Sequence, residues 1–130
     1  LPVVRIEIYK GFDAGHKRKI LDGVHQALVD SFKIPDSDRN QLVYEFDDDN
    51  FERSKNKSRS FTIIEITAFK GRSREAKRML YQKIVENLKS SSGIEPNDIV
   101  ITINEPELVN WGIQGGKCAD ETDIGFNVDV

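Results

Sequence analysis

The chain is poor in the features that announce many classes of function. Its single cysteine, Cys118, excludes an internal disulfide and a thiolate zinc cluster. Its only histidines, His16 and His25, do not share the i, i+4 spacing of a helical metal pair, so neither a metal nor a cofactor is expected. No apolar run approaches the roughly 20 residues that span a bilayer. The amino terminus lacks the basic-then-apolar layout of a secretory signal, and a cytoplasmic location is the expectation. The formal net charge is −3, so no global basic field points to nucleic acid. Lys10-Gly11-Phe12 opens like an RNA-binding strand motif and then stops, and Gly115-Gly116-Lys117 lacks the spacing of a phosphate-binding loop and reads as a turn.

What the chain does have is an internal repeat. Shifted by sixty positions, its first third falls on its second half without a gap. Ile6 meets Ile66, Lys10-Gly11 meets Lys70-Gly71, and Lys17-Arg18 meets Lys77-Arg78. Leu28 then meets Leu88, Ser31 meets Ser91, Ile34 meets Ile94, Asp38 meets Asp98 and Glu45 meets Glu105. Such self-similarity dictates architecture. Residues 2–46 form repeat one and 61–105 repeat two, within one domain of 1–130.

Each unit reads alike. Val3 to Tyr9 and Phe61 to Phe69 are rich in β-branched and aromatic residues and are expected as strands. Asp13 and Ser73 are candidate N-caps for the helices that follow. Ile20, Leu21, Val24, Leu28 and Phe32 make one apolar helical stripe; Ala76, Leu80, Ile84 and Leu88 make the other. Polar turns at 34–38 and 93–98 lead into second strands, Gln41 to Phe46 and Ile99 to Asn104. A strand, a helix and a parallel strand form a βαβ crossover. The fold class is therefore α+β: two tandem βαβ repeats, a four-stranded mixed sheet, and two helices on one face. Phe61 to Phe69 is apolar on both its faces, which implies cover on both sides. Two helices cover one, so a partner subunit is expected on the other. The linker 47–59 reads as a solvated connection or a partly ordered flap, and Ile124 to Val128 as a short edge strand.

At this point the residues meet a family. Pro2-Val3-Val4, the turn Ile34-Pro35-Asp36-Ser37-Asp38-Arg39, Lys70-Gly71-Arg72 and Asn110-Trp111-Gly112, in this order on fused βαβ units, resemble the tautomerase superfamily. The resemblance runs from Pro2 to about Lys117, and the malonate semialdehyde decarboxylase branch is the most similar group. It implies a fold like 4-oxalocrotonate tautomerase and macrophage migration inhibitory factor, assembly as a homotrimer, and action on a small-molecule oxo acid. It further implies catalysis by an amino-terminal proline, here Pro2. Asp38 matches a catalytic acid of the decarboxylase group. Lys70 and Arg72 match two arginines of that group, with Lys70 a departure because an ammonium cannot make the bidentate fork of a guanidinium. With Trp111 these complete the expected site: Pro2 and Asp38 catalytic, Lys70, Arg72 and Trp111 substrate-binding.

The chemistry explains why such groups are needed. A free α-amino group titrates at roughly 7.7–8.0, and lowering it by two units takes about 2.7 kcal/mol of bias against its charged form. An apolar sheet and nearby cations act in that direction. A neutral prolyl amine takes a proton from carbon beside a carbonyl; a protonated one serves as general acid. The cations hold a substrate carboxylate and stabilise a developing enolate.

Each residue also has a structural reading. Pro2 suits the start of an edge strand. Lys70 and Asp38 have repeat mates, Lys10 and Asp98, consistent with a scaffold role. Arg72 faces Phe12 in the repeat and has no cationic mate, which favours function. Trp111 reads as loop packing or pocket lining. Leu1 sets one condition: with a residue ahead of it the Pro2 nitrogen is an amide and no base. Leu1 is therefore expected to be a remnant ahead of the natural start. Two readings without chemistry stand beside the enzyme: a ferredoxin-like ligand-binding module and a trimeric interaction protein.

Overall fold

A computed structural model describes residues 1–130. Its element order is β1 (Pro2–Tyr9), α1 (His16–Phe32), β2 (Gln41–Phe46), β3 (Thr62–Ala68), α2 (Arg74–Ser92), β4 (Ile99–Asn104), and a hairpin of β5 (Gly112–Ile113) and β6 (Lys117–Cys118). Strands β1 to β4 form one mixed sheet in the order β2-β1-β3-β4. Each βαβ pair is parallel, and the two units meet antiparallel at β1 and β3, with Ile6 opposite Ile64 and Val4 opposite Ile66. The repeat in the sequence is thus a near two-fold in the sheet.

Period-two burial fixes which face is inside. Val4, Ile6, Ile8, Ile64 and Ile66 turn toward the helices and are almost wholly buried. Ile20, Val24, Leu28 and Phe32 from α1, and Leu80, Ile84 and Leu88 from α2, complete that core. The helices touch closely at Gly23. A Cβ there would lie 3.0 Å from the Leu88 Cδ2, and the Gly23 carbonyl accepts a hydrogen bond from the Asn87 Nδ2 at 2.9 Å.

Two local expectations need correction. Ser73 caps α2, its hydroxyl accepting from the Ala76 N–H at 3.1 Å. Asp13 does not cap α1: the helix starts at His16 behind Gly15, and Asp13 contributes only its carbonyl, to the His16 N–H. The carboxyl terminus adds no edge strand. It folds across the turn after β3, where the Ser73 N–H donates to the Val130 carbonyl at 2.8 Å.

The linker is an ordered cover. Phe51 stacks on Tyr9 with centroids 4.4 Å apart and meets Phe46 and Phe61. The sheet face away from the helices carries Arg5, Leu42, Tyr44 and Val100 exposed, with Val3, Glu7, Ile63 and Glu65 half-buried. No helix of the structure is long and apolar enough to cross a membrane.

Candidate active site

Strand pairing brings the two ends of the candidate site together. Pro2 pairs with Ala68 at the end of β3, and the chain then runs through Phe69, Lys70 and Gly71 to Arg72. Gly71 adopts φ +135°, a conformation that side chains disfavour, and a Cβ there would come within 2.7 Å of the Val128 Cγ2. This close approach lets the terminal segment cross over Arg72.

Asp38 arrives from the loop between α1 and β2. That loop is pinned by the buried His25, whose Nε2 lies 2.8 Å from the Asp36 carbonyl oxygen, and by a turn in which the Asp38 N–H donates to the Pro35 carbonyl. The Asn40 amide donates to the Asp38 Oδ1 at 2.9 Å. The Asp38 Oδ2 accepts from the ammonium group of Leu1. The cation beside Asp38 is therefore an α-amine at the head of β1. In the chain as it stands, the Pro2 nitrogen is an amide.

Arg72 is 6% exposed. Its guanidinium lies 4.8 Å from the Phe32 ring centroid and 5.7 Å from that of Phe126, and its Nη1 donates to the Phe69 carbonyl at 3.0 Å. Its Nε and Nη2 are buried without a partner. Burial pushes the pKa of the guanidinium down, opposed by the carboxylates of Glu105 and Asp38. Two unpaired donors on a buried guanidinium are costly, and that cost would be relieved by an anionic partner.

The neighbouring cleft has a volume of about 290 Å³. Leu1, Pro35, Asp38 and Phe69 line it together with Ile113 and Gln114 of the hairpin and Phe126 of the tail. Trp111 stands behind Phe69, with centroids 4.6 Å apart and its indole N–H on the Pro106 carbonyl. Lys70 lies apart from this group. It is exposed, its ammonium is 2.5 Å from the Glu107 carboxylate, and that pairing raises its pKa.

The structure thus gathers Pro2, Asp38 and Arg72 at one corner, backs the corner with Trp111, and leaves Lys70 at the rim. Sequence reasoning missed Phe126, Ile113 and Gln114. They belong to segments outside the repeat, where neither periodicity nor a repeat mate marks them. The position that hinted at this corner was the mismatch of Arg72 with Phe12.

The family profile described as tautomerase enzyme matches residues 38–114, and a second profile of the same description matches residues 2–54. The probable tautomerase YrdN of Bacillus subtilis (strain 168) is 29% identical over 126 residues, covering 90% of this chain and 94% of that protein. The probable tautomerase YusQ of the same organism is 21% identical over 122 residues, covering 90% and 96%. A crystal structure of FG41 malonate semialdehyde decarboxylase inhibited by 3-bromopropiolate superposes with a TM-score of 0.80 at 28% identity, covering 89% of this chain and 92% of that one. Native fused 4-OT gives the same TM-score at 23% identity, over 91% and 96%. With its duplicated sheet, its head-of-strand proline and these profile matches, the chain belongs to the tautomerase family.

Proposed function

We propose that this protein transfers protons on small oxo acids through the secondary amine of Pro2, freed at the head of the chain. The observation that carries the reading is the convergence of the chain head and Asp38 on one cleft, with the Arg72 guanidinium buried behind its Phe126 wall. Asp38 already holds an α-ammonium group there. With Leu1 absent, that charge belongs to the prolyl nitrogen. Arg72 keeps two unpaired, buried donors behind Phe126 for a substrate carboxylate that displaces this cover, and Phe69 and Phe126 supply apolar walls. In its neutral form, which Arg72 favours and Asp38 opposes, the prolyl amine takes a proton from the carbon beside the substrate carbonyl; protonated, it returns that proton elsewhere.

The oligomer is part of this reading. The uncovered face carries Leu42, Tyr44 and Val100 exposed, and Arg5 stands opposite Glu65 without an ion pair inside the chain. A trimer with its sheets inward would cover this face; fused 4-OT, whose fold this chain shares, forms trimers.

Likeness to a malonate semialdehyde decarboxylase at 28% identity supports a second reading, decarboxylation of a 3-oxo acid with Asp38 as the working acid. Both are tested on a chain that begins at Pro2. Keto–enol conversion of phenylpyruvate, or ketonisation of a 2-hydroxydienoate, is expected, and its loss in Pro2→Ala. If Asp38→Asn abolishes decarboxylation while sparing tautomerisation, the second reading prevails. Activity that survives Pro2→Ala contradicts both.

A further inference from the structure

The near two-fold that duplicates the fold also duplicates the cleft. Tyr9 and Phe51 stand where Phe69 and Trp111 stand in the second unit, sixty residues apart in each case, and both pairs are in contact at 4.4 and 4.6 Å. Even the buttressing ion pair repeats, Lys17 with Glu45 and Lys77 with Glu105. A second cleft, of about 380 Å³, opens beside Tyr9. Its chemistry is different. Thr62 replaces the proline, and the acid Asp98 is buried and engaged by the Ser58 backbone N–H and hydroxyl. Neither the amine nor a free acid is available there.

Instead the cleft is cationic. Where the first cleft has Ile113 and Gln114, this one has Arg53 and Ser54, followed by Lys55 and Lys57. Arg53 and Lys55 are exposed and form no ion pair, and Lys57 donates only to neutral oxygens of Asn97. The Arg53 guanidinium is held 5.1 Å over the Tyr9 ring, which leaves its edge free. Arg59 flanks the same ring at 5.4 Å but is occupied by Asp48. Glu52 is the one acidic residue of the lining.

We propose that this cleft is a binding site, without catalysis, for a small polyanion with at least two closely spaced carboxylate or phosphate groups. One group meets the Arg53 fork, another the Lys55 and Lys57 ammonium groups. The site does not depend on the proton-transfer reading of the first cleft.

Calorimetric titration at low ionic strength with citrate and, separately, inorganic pyrophosphate tests it. One saturable site per chain is expected, with Kd below about 1 mM for at least one probe and weakening as salt rises. Citrate alone would assign carboxylates, pyrophosphate alone phosphates, and both the shared chemistry. Combining Arg53→Gln with Lys55→Gln, both exposed positions, is expected to weaken binding at least tenfold. Arg72→Met in the first cleft is expected to change it less than twofold. Absence of saturable binding, insensitivity to the paired substitution, or loss in Arg72→Met overturns the proposal.

Discussion

At the scale of single residues, Arg72 carries a desolvation cost. A guanidinium buried between Phe32 and Phe126 with two idle donors is retained against stability. Replacing it with Met, which keeps the packing, is expected to leave thermal stability unchanged or raised. The same change is expected to cut kcat/KM on an oxo acid at least a hundredfold, about 2.7 kcal/mol of transition-state stabilisation. Unfolding curves and steady-state kinetics on one variant measure both. Reduced stability with intact activity would make Arg72 structural.

Glu7 gives a second prediction at this scale. Burial, then hydrogen bonding and repulsion from Glu65, raise its carboxyl from 4.5 to about 7. Between these values the folded chain holds a proton that the unfolded chain has released. Stability from this group is therefore full below about pH 4.5 and falls until about pH 7. Glu7→Gln is expected to flatten that part of the stability profile and to raise Tm at pH 8. An unchanged slope in thermal melts from pH 4.5 to 7 would contradict it.

At the scale of elements, the sequence was most readable where local chemistry repeats. The stripes of both helices, the strands and their pairing in units followed from periodicity and the sixty-residue offset, because burial on one face forces those patterns. Asp13 and Ser73 are repeat mates, yet only Ser73 caps. Gly15 starts α1 two residues later than Asp13 requires. Ser73→Ala is accordingly expected to cost about 1 kcal/mol and Asp13→Ala much less, as denaturant midpoints would show. Equal losses would mean that the cap geometry is not what holds α2. The hairpin and the tail were not legible. They lie outside the repeat, and their place is set by contacts far along the chain, such as Val128 over Gly71 and Phe126 over Arg72.

At the scale of the whole molecule, the duplication makes two clefts from one plan and then separates their chemistry. Pro2, Asp38 and Arg72 were legible as candidates through the resemblance and through Arg72's break with its mate Phe12. Lys70 and Lys10 were alike in the sequence and are alike in space: exposed and bound to acidic neighbours, Glu107 and Asp47. The walls of the first cleft were not legible, since no local signal links Phe126 to Pro35.

The decisive comparison is the kcat/KM of two otherwise identical proteins, one beginning at Pro2 and one retaining Leu1, on the same 2-oxo acid. A secondary amine that works as acid or base requires activity in the first and a loss of at least about a thousandfold in the second. Equal rates from the two chains would contradict the role given to the proline nitrogen.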